Sequence, residues 1–235
     1  VVEDRFLAGR PDWHAVGVEF VGDVEPYERM KLRLLNGAHS TLAYLGYLAG
    51  HPTIAAAAND DRLRAVARGV MAESAATLDG PAGVDLERYR ESLIARFRNA
   101  ALPHTTAQVA MDGSQKLPQR LLAPLRARLA AGREVRLLSL AVAGWMRFAM
   151  GKDERDQPIA VKDPLAPNLA AIAAAHAADL PRYVDALLAV GAIFGDDLPQ
   201  RRVFRDTVLD WLTQLRRDGA VATAARAAGG LRPGA

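Results

Sequence analysis

One long run of apolar residues at helical spacing, from about residue 24 to residue 49, constrains the fold most strongly. Asp23 is placed to cap its beginning, and Pro26 suits the first turn of a helix. Gly50 marks its end. The second half of the run is apolar on nearly all sides, which is typical of a helix buried by its neighbours. The sequence therefore predicts a long central helix near 24–49.

Composition extends the helical prediction to the rest of the 235 residues. Ala dominates the apolar residues, and it is the best helix former, whereas strands favour the β-branched and aromatic residues. Only 6% of the residues are aromatic. Helical segments are predicted as far as about residue 217, and the tail from Gly229 is predicted to be irregular. We expect a mostly α-helical fold with no internal domain boundary, and a short extended piece within residues 16–21.

Several classes of site are missing from the sequence. It contains no cysteine, which excludes disulfides, thiolate zinc sites and a cysteine nucleophile. The histidines lack metal-site spacing, so we expect no metal, and no glycine-rich phosphate loop is present. No apolar run approaches the roughly 20 residues that cross a membrane. We expect a cytoplasmic protein without a membrane partner, and the first residue, Val1, indicates a chain cut from a longer protein.

The formal charge is +3, and Arg far outnumbers Lys. Two interpretations stay open, a solvated arginine surface and a site for an anionic ligand. We expect no nucleic-acid partner, because the arginines are spread along the chain and are not interleaved with aromatic residues.

Three polar residues interrupt the central helix. On an α-helix, with Lys31 at zero, His39 falls at roughly 80° and Asn36 at roughly 140°, which puts the three on one side. An amine beside two neutral hydrogen-bonding groups suits the removal of a proton from an alcohol. The alternative is that Lys31 is a solvated surface residue and His39 a residue of the core.

Residues 99–118 show poor periodicity and are predicted to be a loop, with a helical turn over 104–111 and a tight turn from Asp112 to Ser114. Polar residues on a loop between buried helices are where binding groups concentrate.

Two stretches together resemble the mannitol dehydrogenase and fructuronate reductase family of long-chain, metal-independent polyol dehydrogenases. Residues 31–40 read KLRLLNGAHS and are similar to its catalytic helix. Residues 108–120 read QVAMDGSQKLPQR and are similar to its second active-site loop. The resemblance runs over essentially the whole chain, and the spacing K-x4-N-x2-H is its most specific part.

The resemblance implies an enzyme with two domains. An N-terminal Rossmann domain binds NAD or NADP, and a mostly helical substrate domain resembles the C-terminal domain of 6-phosphogluconate dehydrogenase-like enzymes. Residues 1–235 match the substrate domain only. The expected partners are therefore the Rossmann domain of the same protein and a sugar-acid or polyol substrate, and the chain alone is expected to be inactive.

The resemblance also implies roles for particular residues. Lys31 matches the general base, Asn36 and His39 match the pair that polarises the reacting oxygen, and Glu28 matches a carboxylate that passes the proton to solvent. In the second stretch, the residues assigned to substrate binding are Lys116, Gln108, Asp112 and Arg120.

One departure bears on the substrate. Mannitol-specific members are expected to carry Arg at the position of Gln108, so this stretch looks more like fructuronate reductase, also called D-mannonate oxidoreductase. A sugar acid would suit a positive pocket, with Lys116, Arg120 or Arg33 near its carboxylate. Alternatively, Arg120 and Arg33 only brace the structure.

Three alternatives remain at this stage. The first is a polyol 2-dehydrogenase acting on mannitol or arabinitol, the second is a helical interaction module without catalysis, and the third is a helical nucleic-acid binder. The sequence does not choose between NAD and NADP.

Overall fold

The computed structural model describes residues 1–230, and over that range the chain is mostly helical. Two short strands, β1 (Val2–Glu3) and β2 (Phe20–Val21), pair in parallel before the first α-helix. The mostly α-helical fold is thus confirmed, and β2 is the extended piece predicted within residues 16–21. A 3₁₀ turn at Trp13–Val16 lies between the strands.

The α-helices of the described residues follow in chain order. They are α1 (Glu25–Met30), α2 (Gly37–Leu48), α3 (Ile54–Asn59), α4 (Asp61–Ala75), α5 (Leu86–Phe97), α6 (Thr106–Val109), α7 (Gly113–Leu117), α8 (Ala123–Ala130), α9 (Arg136–Ala149), α10 (Ala166–His176), α11 (Leu180–Leu188), α12 (Gly191–Phe194) and α13 (Arg202–Gly229).

The predicted long helix is present and is interrupted by a change of helical type. α1, a π-helical segment at Lys31–Asn36 and α2 follow one another without a break. Asp23 precedes the N-cap residue, Val24, and accepts a hydrogen bond from the backbone N–H of Glu25 at 2.9 Å. It therefore satisfies one donor of the first turn but is not itself the N-cap. After α2 the chain turns at Gly50, whose φ is +81°.

Two buried helices form the centre of the molecule. Ten of the twelve residues of α2 are buried, and α9 is buried from Leu137 to Ala149. α2 packs against α3, α4 and α9, and α9 packs against α13. The central position predicted for the second half of the long helix is therefore confirmed.

Two sequence-based predictions were wrong in detail. Residues 113–117 of the predicted loop form α7, which continues through a second π-helical segment, Pro118–Leu122, into α8. The helix predicted to end near residue 217 is interrupted at Gly219, whose backbone is not helical (φ 81°, ψ 170°). α13 resumes after this kink and reaches Gly229, a continuation that was not predicted. The rest of the predicted irregular tail, beyond residue 230, lies outside the described residues.

Candidate active site

Both π-helical segments lie at the predicted site, and they contact each other. The first contains Lys31 and Asn36, and the second contains Arg120. Gly37 allows the contact, because a Cβ at that position would lie 2.9 Å from the backbone oxygen of Arg120. Such segments are rare and frequently occur at functional sites.

The π-helical segment changes the angular positions around the helix axis that the sequence predicted for the side chains after Lys31. Those angles assumed roughly 100° of rotation per residue, the value for an α-helix. The hydrogen bonds of a π-helix span five residues instead of four, so each residue rotates less. The α-helical offset between Lys31 and Asn36 therefore does not apply to this segment.

Two of the predicted catalytic residues and the predicted proton relay keep their side chains free of internal partners. Lys31 and Glu28 are exposed and Asn36 is half-buried. Neither Lys31 nor Glu28 forms an ion pair with another described residue, although the two lie one helical turn apart. The amide of Asn36 likewise has no hydrogen-bond partner within residues 1–230. These groups are available to a ligand.

His39 lies in a positively charged, partly apolar environment. Its half-buried ring stacks on Phe97 with centroids 5.3 Å apart, and the ring of His104 is 5.9 Å away. Burial, followed by the positive charges of His104, Arg120 and other basic neighbours, lowers the pKa of His39 to about 4. His39 is therefore neutral near pH 7, and its ring has no hydrogen-bond partner among the described residues.

Lys116 is held in place by backbone oxygens. Its ammonium donates to the carbonyls of Met111 and, at 3.4 Å, of Val109. It lies 4.0 Å from the carboxylate of Asp112. Burial and the charge of Arg120 lower the pKa of Lys116. Two of its three N–H groups are engaged, which leaves one for a ligand.

Gln108 and Asp112, which were also assigned to substrate binding, form contacts that stabilise the local fold. The side-chain oxygen of Gln108 accepts from the backbone and hydroxyl of Thr105 in a capping box that begins α6. This leaves the amide nitrogen of Gln108 free within the described structure. Asp112 has a left-handed backbone (φ 55°), and its N–H donates to the carbonyl of Lys162 at 2.9 Å.

The two arginines named from the sequence differ in position. Arg120 is half-buried and donates to the hydroxyl of Ser40 at 3.2 Å, while its Nε is buried without a partner in residues 1–230. Burial lowers the pKa of Arg120. Arg33 donates at 2.9 and 2.8 Å to the carbonyl and hydroxyl of Thr77, at the end of α4. For Arg33 the bracing role is therefore the one that the structure favours.

Sequence reasoning missed the residue that fixes the second stretch. The carboxylate of Asp163 accepts from the N–H and the hydroxyl of Ser114, at 2.8 and 2.5 Å. Beside it, Gly113 lies against the core, where a Cβ would be 2.4 Å from the indole nitrogen of Trp145. The distance of 49 residues along the chain between Ser114 and Asp163 hides this contact from any local pattern.

A cavity of about 110 Å³ adjoins His39. Two basic side chains that the sequence did not single out, Arg96 and His104, lie on its wall. Its other lining residues are Leu35, Ile54, Ala55, Phe97 and Leu102. Arg96 is one of many arginines on exposed helix faces, so no signal in the sequence distinguishes it.

The part of the chain that the structure describes contains no group of three or more His, Asp or Glu side chains arranged to hold a metal ion. No helix among residues 1–230 has the length and apolar character needed to span a bilayer.

Comparison with known sequences decides the family. The profile of the mannitol dehydrogenase C-terminal domain matches residues 23–216. The chain belongs to this family. The resemblance stated from the two stretches is therefore confirmed.

Individual relatives in the mannitol dehydrogenase family agree with this assignment. The D-mannonate oxidoreductase of Escherichia coli K12 is 50% identical over 94% of the chain and 45% of its own length. The mannitol 2-dehydrogenase of Phaeosphaeria nodorum is 36% identical over 96% of the chain and 39% of its own length. The chain thus spans about half the length of the curated relatives it matches.

A solved structure in the family shares the fold. It is the mannitol 2-dehydrogenase of Pseudomonas fluorescens in a ternary complex with NAD and D-mannitol. The TM-score is 0.90 at 34% identity, over 98% of this chain and 46% of that one. The helical architecture described above is therefore that of a mannitol dehydrogenase C-terminal domain.

Proposed function

We propose that this chain is the substrate domain of an NAD(P)-dependent, metal-independent oxidoreductase that interconverts D-mannonate and D-fructuronate. The observation that carries the proposal is the unpartnered set Lys31, Asn36 and His39 on one helix, next to the basic residues Lys116 and Arg120 of a second.

Each of these side chains suits one part of the reaction. The amine of Lys31 takes the hydroxyl proton during oxidation and returns it during reduction. Asn36 and the neutral ring of His39 donate hydrogen bonds to the oxygen on which negative charge develops. Glu28, one turn before Lys31, passes the proton to solvent.

As a general base, Lys31 would need to be less exposed to solvent than it is in this chain alone. A lysine that acts as a base near neutral pH requires burial or positive neighbours to lower its pKa. Its side chain is exposed here. We infer that the substrate, the cofactor and the Rossmann domain cover Lys31 in the complete protein.

The cofactor belongs mainly to the Rossmann domain. This chain has no glycine-rich phosphate loop, so its residues do not provide the principal cofactor site. When bound, the nicotinamide cofactor accepts or supplies the hydride. The contribution of this chain is to hold the substrate carbon in place and to move the proton.

Electrostatics and similarity support a sugar acid as the substrate. The charged groups with the largest effect on His39 are basic: His104, Arg120, Lys116 and Arg96. Positive charges around the site stabilise a bound carboxylate, whereas they stabilise an uncharged polyol less. The D-mannonate oxidoreductase relative is also more similar to this chain than the mannitol 2-dehydrogenase relative, at 50% against 36% identity.

The second candidate is a polyol 2-dehydrogenase that converts mannitol or arabinitol into a ketose. One observation favours it, the TM-score of 0.90 to an enzyme in complex with D-mannitol. It keeps Lys31, Asn36 and His39 in the same roles and differs only in what Lys116 and Arg120 contact.

The test uses the full-length parent protein. D-fructuronate and D-fructose are reduced in parallel with NADH by the wild type and by Lys31→Ala. We expect the wild type to prefer fructuronate and Lys31→Ala to lose roughly 10²- to 10⁴-fold in kcat, because a positioned base contributes about that much. Added primary amines should restore part of the activity.

Lys152→Ala is the matched control, since Lys152 is exposed and its ammonium has no partner among the described residues. It should retain wild-type kcat. A preference for fructose would move the assignment to the polyol dehydrogenase, and full activity of Lys31→Ala on either substrate would refute the base role.

A further inference from the structure

The cavity beside His39 combines an apolar wall with a positive rim. Its volume of about 110 Å³ suits one end of a small molecule and is too small for a whole sugar. Phe97 and Leu102 supply apolar surface, and the ring centroids of His39 and His104 lie 5.9 Å apart. The backbone carbonyl of His104 accepts from Ile54 at 2.9 Å, which fixes this rim.

Arg96 differs from three other basic residues near the site in having no internal acceptor. Arg33, Lys116 and Arg120 donate to oxygens of the protein. Arg96 lies in the last turn of α5, and its guanidinium forms no ion pair or hydrogen bond with another described residue. Its full set of donors is therefore free for a ligand.

We infer that Arg96, assisted by His104, binds the carboxylate of the substrate and determines the preference for a sugar acid over a neutral ketose. This inference rests on the proposed function. In fructuronate the carboxylate is at the end of the carbon chain away from the reacting carbonyl. A subsite one side chain beyond His39 therefore fits a substrate whose carbonyl oxygen lies at His39.

The shape of a guanidinium supports Arg96 as the group that binds the substrate carboxylate. A guanidinium presents two parallel N–H groups that match the two oxygens of a carboxylate. Phe97 and Leu102 line one side of the cavity with apolar surface, while Arg96 is exposed and can reach an incoming carboxylate from solvent.

The experiment compares variants of the full-length protein with NADH as reductant. Arg96→Gln should lower the ratio of kcat/KM for D-fructuronate over D-fructose by roughly 10- to 100-fold, because a hydrogen bond to a charged group contributes about that factor. Most of the loss should appear in KM for fructuronate, since the carboxylate interacts alike in the ground state and the transition state.

Two further variants sharpen the test. Arg96→Lys keeps the charge but not the two-pronged geometry, so its ratio should fall by less than that of Arg96→Gln. Arg88→Gln is the matched control, because Arg88 is exposed on the same helix and its guanidinium lacks a partner in the described structure. It should keep the wild-type ratio.

The outcomes distinguish a failure of the Arg96 assignment from a failure of the proposed function. If the wild type prefers fructuronate and Arg96→Gln keeps that preference, the assignment of Arg96 is overturned and the proposed function stands. If the wild type itself prefers fructose, the sugar-acid substrate and the Arg96 subsite are both overturned.

Discussion

The ring of His39 shows how burial sets the chemical role of a residue. It stacks on Phe97, and basic side chains surround it. A charged imidazole would be costly there, because burial and like charges both disfavour it. The neutral ring donates or accepts hydrogen bonds near pH 7, which suits a group that polarises a substrate oxygen.

This environment predicts a pH dependence of stability. The folded pKa of His39, about 4, lies below its ordinary value of 6.5. The unfolded chain therefore binds more protons between these values, so stability is present above pH 6.5 and is lost as the pH falls towards 4. We expect this residue to account for about 2–3 kcal/mol of that loss. Urea unfolding of the wild type and of His39→Gln at pH 7 and pH 4 measures the difference.

His14→Gln is the control for this titration, because the ring of His14 is exposed. It should follow the wild type over the same range. Equal losses in the wild type and in His39→Gln would contradict the prediction.

At the scale of elements, one helix caps another across the core. The partly buried carboxylate of Glu73, on α4, accepts from the backbone N–H groups of Leu137 and Leu138 at 2.8 and 2.9 Å. These belong to the first turn of α9, whose donors have no partner within the helix. Burial raises the pKa of Glu73, against the opposing effect of the two hydrogen bonds.

Removal of this cap should destabilise the protein. Glu73→Ala leaves two backbone donors unsatisfied at the start of the buried helix α9, at an expected cost of about 2–4 kcal/mol in the free energy of unfolding. Glu73→Gln keeps one acceptor and should lose less. Urea unfolding at pH 7 tests both.

Glu91→Ala is the control, because it removes only a surface ion pair with Arg68. It should change the free energy of unfolding by less than about 1 kcal/mol. A Glu73→Ala protein as stable as Glu91→Ala would contradict the capping role.

At the scale of the molecule, the described chain leaves apolar groups and the proposed base exposed to solvent. Leu7 and Val16 are exposed beside the two-stranded sheet, and Lys31 is exposed on the long helix. Exposed apolar groups of this kind mark interaction sites when they cluster. The proposed Rossmann domain is the partner that would bury Lys31 and supply the cofactor.

We therefore expect no turnover by the 235-residue chain alone. With NADH and either D-fructuronate or D-fructose, nicotinamide absorbance should stay constant, while the full-length parent oxidises NADH. A helical circular dichroism spectrum of the isolated chain excludes unfolding as the cause. Turnover by the chain alone would show that a second domain is unnecessary.

Local sequence patterns predicted much of the architecture. Asp85 caps α5 by accepting from the N–H groups of Glu87 and Arg88, a position for which aspartate is a preferred residue. The π-helical segments were missed, because π-helical and α-helical stretches carry similar apolar patterns. The continuation of α13 was missed because its kink at Gly219 depends on Glu154, a distant residue whose carboxylate accepts from the N–H of Ala220.

The sequence by itself determined the helical class, the long central helix and the family, since apolar periodicity, capping residues and short motifs are local properties. It also named Lys31, Asn36, His39 and Lys116, whose roles remain predictions. Only the tertiary structure decided that Arg33 braces α4 while Arg96 faces the cavity beside His39. Both are arginines on helices, and what separates them is the acceptor that the folded chain brings within reach of each.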